Sequence, residues 1–256
     1  MTVPPADSAE RANLRARGRA LRIRLGIGDD VHGAPAPGYP DLSDELFFGA
    51  IWCREGLPLT DRMVATLAAL GARQRQRLIP AYCQAALRLG LGPDAIRETF
   101  IQAGLYAGFP TAEDALRLAA EVFEAQGMAS PAKAAPLPDS LAALGAAKMS
   151  ELHGERSTQG YAAPDHPTSG ELYKLAIRYG YGVLWNRPGL SRRQRFICSV
   201  AAFTALELDS QLRKFAQSAE NNDLQRAEVI EVIMQTAPYA GFPPALNALS
   251  LLGADV

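Results

Sequence analysis

Arg54 and Arg62 are the side chains with the most chemistry to offer at a fixed spacing, and the same pair recurs as Arg187 and Arg195. A guanidinium presents a planar fork of N–H donors that holds a carboxylate or an enolate oxygen bidentately, so the arginines suit a carboxylated ligand. Tyr82 and Cys83 stand side by side. A phenol with a pKa near 10 gives a proton or a hydrogen bond rather than acting as a base, and a thiol is a nucleophile only where its surroundings depress its pKa. Gln102 and Gln235 are amides in apolar helical stretches, placed to face a pocket or a subunit seam, and Tyr106 belongs to a glycine corner. A plainer reading stands beside each: arginines that cap or bridge helices, a core tyrosine with a satisfied hydroxyl, a cysteine that only packs. His32, His153 and His166 lack metal-ligand spacing, and no dinucleotide fingerprint, phosphate loop or nucleophile elbow is present. The expectation is therefore no metal and no cofactor.

These residues recur because the chain is duplicated. FGAIWCREGL, from Phe48 to Leu57, returns as YGVLWNRPGL, from Tyr181 to Leu190, and LYAGFPTAEDAL, from Leu105, returns as PYAGFPPALNAL, from Pro238. One ungapped shift takes Trp52 to Trp185, Arg62 to Arg195, Glu98 to Glu231 and Gln102 to Gln235. So long a period excludes a solenoid and indicates a tandem domain. Residues 1–127 form the first copy with a lead helix, 128–138 a linker rich in proline and alanine, and 139–256 the second copy.

Each copy reads as helical. Met63, Leu67 and Leu70 share a helix face, and Gly92-Pro93 marks the end of one helix and the first position of the next. Pro80 predicts a kink or a helix start. Ala227 to Phe242 is rich in β-branched residues, yet its length and its alignment with the first copy favour helix. Tyr-Ala-Gly-Phe-Pro predicts a helix end, a glycine corner and a new helix at Pro110 or Pro243. The segment Asp139–Glu155 predicts a helix capped by Asp139 or Ser140 and corresponding to the N-terminal lead helix.

The composition is that of a globular chain: 256 residues, 48% hydrophobic, 21% charged, with 26 basic against 27 acidic side chains. Such a balance leaves no global footprint for nucleic acid, and the six arginines between positions 11 and 24 read as a solvated or subunit-facing stripe. No apolar run nears the roughly 18 residues of a membrane span and no secretory h-region opens the chain, which predicts a cytoplasmic protein without membrane contact. Cys53, Cys83 and Cys198 are odd in number and far apart, so reduced thiols are expected.

YGVLWNRPGL with VIEVIMQTAPYAGFPPALNAL closely resembles the γ-carboxymuconolactone decarboxylase family, and FGAIWCREGL with IQAGLYAGFPTAEDAL resembles it in the first copy; LGIGDDVHG is similar to the family's N-terminal pattern. The resemblance implies an all-α fold and, because single-copy members form rings, a tandem homotrimer that imitates a hexamer. It implies a lyase or isomerase-like enzyme, a decarboxylase or cyclase, acting on a small carboxylated or enolisable ring compound. The family's glutamate ahead of the tryptophan is replaced by Ala50 and Val183, and its histidine falls on Tyr82 and Phe215. The thiol-peroxidase branch needs a Cys-x-x-Cys pair where this chain has Arg75 and Leu78, and Leu208 and Gln211, which disfavours that activity. What is left is a site of Tyr82, Arg54, Arg62 and Cys83, with Gln102, Tyr106, Arg187 and Arg195 as ligand-binding residues. The competing reading is a non-catalytic binding or scaffold protein whose sites have decayed. If one copy is active, the retained hydroxyl and thiol favour the first.

Overall fold

The computed structural model describes residues 5–32, 36–128, 137, 140–158 and 166–253, and all regular structure among them is helical. Of the expected linker, only Met128 and Leu137 are among the described residues.

The first copy runs α1 (Pro5–Leu25), the short α2 (Asp29–His32) and α3 (Tyr39–Leu42), a π-helical stretch Ser43–Trp52, then α4 (Leu59–Ala72), α5 (Ile79–Arg88), α6 (Pro93–Ala107) and α7 (Phe109–Ala125). The second repeats it as α8 (Leu141–His153), α9 (Gly170–Leu175), a π-helical stretch Ala176–Tyr181, α10 (Arg192–Leu206), α11 (Asp209–Asn222), α12 (Arg226–Ala240) and α13 (Phe242–Gly253). Local chemistry explains the boundaries. A 3-10 turn, Gln76–Leu78, precedes α5, so Pro80 lies in a first turn where its missing N–H costs nothing. Ser191 and Gln194 form a reciprocal capping box on α10, and Ser140 caps α8. The corners between α6 and α7 and between α12 and α13 turn on Gly108 and Gly241, at φ of 103° and 117°, a region that side chains disfavour. The β-branched stretch is helix α12.

The lead helices dock backbone to backbone. A Cβ on Gly18 would run into the Asp44 carbonyl oxygen and one on Gly49 into that of Leu14; in the second copy Gly145 and Gly182 meet Ile177 and Leu141 in the same way. The arginine stripe of α1 contributes to this docking rather than facing solvent throughout. Arg11 and Arg15 pair with Glu45, Arg15 also with Asp41, and Arg22 with Asp44 at 2.5 Å. Arg17 reaches the Cys53 carbonyl.

The core lies where the copies meet. Helix α4 packs on α6, α10 and α12, while α10 packs on α4, α6 and α12. Every residue from Asp61 to Ala72 is buried, as is every residue from Arg195 to Ala205. Met63, Leu67 and Leu70 therefore do not mark a single buried face, because the second copy covers what would otherwise be the outer one. Most of the apolar run of α12 is hidden in the same way: Val229, Val232 and Ile233 are fully buried, Met234 is half-buried and Ile230 is exposed.

Candidate active site between the two repeats

The four arginines form their ion pairs with carboxylates of the opposite copy. Arg54, from the loop after the first π-helical stretch, meets Glu231 of α12 at 2.6 Å, and Arg62 of α4 meets the same carboxylate at 2.7 Å. Reciprocally, Arg187 and Arg195 meet Glu98 of α6 at 2.7 and 3.3 Å. This exchange is the signature of an isologous, twofold-type contact. Burial works to raise the Glu231 pKa, but the hydrogen bonds from Arg54 and Arg62 outweigh it and hold the carboxylate below its ordinary value. Arg62 is fully buried and also gives bonds to Gln235 Oε1 and to the carbonyls of Arg54 and Glu55. Its guanidinium is thus engaged by protein groups, with only Nε unpartnered.

The predicted site residues separate into two mirrored clusters. In the first, Tyr82 of α5 lies 2.8 Å from the hydroxyl of Tyr239 of α12, and Tyr239 accepts the Trp52 Nε1–H at 2.6 Å. His32, at the end of α2, completes the line with Nε2 2.9 Å from the Tyr82 hydroxyl. Its ring stands edge-on to Phe47, Phe48 and Tyr82. Beside them Gln235 bonds both Arg62 and Thr66. Trp52 and Tyr82 are fully buried and Tyr239 nearly so, which leaves half-buried His32 as the cluster's connection to the surface.

In the second cluster Gln102 and Tyr106 of the first copy join Arg195 and Ser199 of the second. Phe215 stands where the first cluster has Tyr82, packed on Tyr106, His153, Trp185 and Phe203. His153 is buried and bonds Ser218 at 2.7 Å and Tyr181 at 2.9 Å. Gln102 and Tyr106 therefore do not share a pocket with Arg54, Arg62 and Tyr82; the counterparts Gln235 and Tyr239 take that place.

The electrostatics define which groups can donate. Burial and the neighbouring Tyr239 push the Tyr82 pKa well up, and burial also raises that of Tyr239, so both phenols are protonated at neutral pH. Burial pushes the Cys83 thiol up to about 12, which keeps it protonated. Burial, Arg77 and Arg22 lower the His32 pKa to about 4, so its imidazole is neutral. Among the described residues no group of three or more His, Cys, Asp or Glu could hold a metal ion, and no helix is long and apolar enough to cross a membrane. All three cysteines are free.

Sequence reasoning weighed His32 only as a metal ligand and read Tyr239 only as part of a corner. For Tyr239 a signal existed, since its match to Tyr106 and the matches Glu98–Glu231 and Gln102–Gln235 already showed that these polar positions are kept in both copies. His32 lies 50 residues from Tyr82 and no spacing rule connects them.

A fold built from two such helical halves, with the motifs quoted above at the same place in each, defines its class. The chain belongs to the carboxymuconolactone decarboxylase family, whose model matches residues 37–121 and again 170–254. It is 34% identical over 103 residues to the 4-carboxymuconolactone decarboxylase of Acinetobacter baylyi, across 40% of this chain and 74% of that protein. It is also 28% identical over 76 residues to the nitrosuccinic acid decarboxylase of Metarhizium robertsii, across 30% of this chain and 53% of that protein.

Proposed function

We propose that this chain is a decarboxylase-like lyase acting on a small carboxylated compound that forms an enolate, and that its reaction takes place at the His32–Tyr82–Tyr239–Trp52 cluster. The observation that carries this reading is the unbroken line of hydrogen bonds from the Trp52 indole through two buried phenols to a neutral imidazole. Loss of CO2 leaves its electron pair on the substrate as an enolate or similar anion, which then takes a proton at carbon. A fixed phenol O–H aimed at the developing oxyanion stabilises it without a classical base. Tyr82 is the donor, Tyr239 holds its oxygen, Trp52 holds that of Tyr239, and Arg54 and Arg62 position α12 through Glu231. Both relatives bear names that describe loss of CO2 from a small acid.

The site is composite, with Tyr239, Gln235 and Glu231 supplied by the second copy, so the second copy contributes to catalysis as well as to stability. The second cluster, lacking the Tyr82 hydroxyl, is structural in this reading. We place the assembly as a homotrimer in the cytoplasm, with no metal or cofactor needed for the proposed step. The test is CO2 release from 4-carboxymuconolactone, nitrosuccinate and other small acids activated for decarboxylation, comparing the unsubstituted chain with Tyr82→Phe. Turnover that needs the Tyr82 hydroxyl supports the enzyme; ligand binding without turnover across the panel favours the decayed-site alternative.

A further inference from the structure

The hydrogen bonds of the first cluster have a direction, and it can be read from the groups that only donate. Arg62 Nη1 gives its hydrogen to Gln235 Oε1 at 3.1 Å, and because a guanidinium cannot accept, this contact fixes which end of the amide faces the arginine. The other end, Nε2, therefore gives its hydrogen to Thr66 Oγ1 at 3.1 Å. Among the described residues no bond joins the Thr66 hydroxyl to the helix carbonyl four residues back, although Ser199, its counterpart on α10, makes that bond to Arg195 at 2.8 Å. The Thr66 hydroxyl adjoins Tyr239, and its proton is left to turn toward that phenol. Trp52 Nε1, again only a donor, supplies a second hydrogen to the same phenolic oxygen. With two donors on its oxygen, Tyr239 gives its own proton to Tyr82 at 2.8 Å, and Tyr82 gives its proton to His32 Nε2 at 2.9 Å.

We infer that Gln235, clamped by Arg62, is a positioning residue that sets the polarity of this chain, so that each hydroxyl donates toward the surface and His32 carries its ring proton on Nδ1. The second cluster provides the contrast. There Arg195 holds Gln102 Oε1, Gln102 Nε2 donates directly to Tyr106, Tyr106 donates to Ser199, and Ser199 ends the chain on a carbonyl of its own helix. The same kinds of side chain thus make one chain that terminates inside α10 and one that leads outward to a half-buried imidazole. A substrate oxygen that takes the place of His32 Nε2 meets an O–H already pointed at it, with two further donors behind, as stabilisation of an oxyanion requires. That functional consequence rests on the decarboxylase reading; the polarity does not.

The experiment is 15N spectroscopy of the full chain labelled at histidine, with His32 assigned from the spectrum of His32→Gln. At neutral pH, His32 is expected to show a bare Nε2 and a protonated Nδ1. A proton on Nε2 in the unsubstituted chain overturns the inference whatever any variant does. Gln235→Glu replaces the donating NH2 by a carboxylate that only accepts, so Thr66 turns its proton toward it, the chain reverses, and the His32 Nε2 signal moves to the protonated range. Gln102→Glu, in the second cluster, leaves His32 unchanged. A folded Gln235→Glu with an unaltered His32, or an equal response to Gln102→Glu, removes Gln235 from this role; if Gln235→Glu does not fold, the unsubstituted spectrum decides. Should the tautomers behave as inferred while Tyr82→Phe retains full turnover, the polarity stands and the decarboxylase reading falls.

Discussion

Tyr82 and Phe215 occupy equivalent positions and differ by one oxygen, which makes them the sharpest internal control in the molecule. Tyr82→Phe removes the donor while leaving the ring, and turnover is expected to fall by about 10²-fold, the scale on which single oxyanion donors act. Phe215→Leu changes only packing, and is expected to cost about 1 kcal/mol of stability with turnover nearly retained; an equal functional loss from both would remove the asymmetry between the copies. His32 contributes a pH dependence whose sign follows from its surroundings. Arg77 and Arg22 press its pKa down, Asp44 opposes them, and burial adds the largest part, so the folded value of about 4 lies below the ordinary 6.5. Between those values the unfolded chain binds more protons than the folded one. Stability from this group is therefore complete above pH 6.5 and is lost as the pH falls toward 4, by up to about 3 kcal/mol. Urea unfolding at pH 7 and pH 4.5 should show a smaller difference in His32→Gln than in the unsubstituted chain, and identical differences would contradict the assignment.

At the scale of elements, the close crossing of each lead helix over its π-helical stretch depends on glycines that let the two backbones touch. Gly49→Ala places a methyl against the Leu14 carbonyl, where neither backbone can yield without moving a helix. We expect a loss of about 1–3 kcal/mol, seen as a melting temperature several degrees lower. Gly92→Ala, where a Cβ meets nothing within 4 Å, meets no such clash and should cost only about 0.5–1 kcal/mol, as alanine is the poorer N-cap for α6. Several element boundaries were legible in the sequence because their causes are local: Gly92-Pro93, Gly108 before Phe109-Pro110, and the Ser140 cap each act within a turn of where they stand. The partner of each arginine was not legible. Arg54 with Glu98 inside one copy and Arg54 with Glu231 across copies leave the same repeated pattern, since a duplication copies both ends of the pair and says nothing about which ends meet. The same ambiguity assigned Gln102 and Tyr106 to the site of Arg62 and Tyr82, when the side chains that reach it are Gln235 and Tyr239. His32 escaped for a different reason, because a short helix between loops carries no periodicity to place its face.

At the scale of the whole molecule, the exchange of carboxylates makes each half necessary to the other. Removing one partner from a buried ion pair leaves charge without compensation and costs about 3–5 kcal/mol, so Glu231→Gln and Glu98→Gln should lower stability by similar amounts in denaturant titrations. Only the former is expected also to impair the proposed turnover, since Glu231 orients Arg62 and through it the first cluster. The same pseudo-symmetry bears on assembly. The apolar run of α12 is mostly covered within the chain, so the apolar side chains left for an interface lie elsewhere. Six of the exposed apolar side chains are paired by the repeat: Tyr39 with Leu172, Leu42 with Leu175, and Phe109 with Phe242. A surface presented twice, by halves related through an internal twofold, closes without unsatisfied ends when copies join in a ring, and a ring of six halves needs three chains. Light scattering is expected to give about 82 kDa, three times the 27.4 kDa of one chain. Phe109→Glu together with Phe242→Glu should shift the distribution toward one chain while the helical circular dichroism is kept. A mass near 27 kDa for the unsubstituted protein would remove the trimer, and trimers unaffected by the double substitution would move the interface away from these phenylalanines.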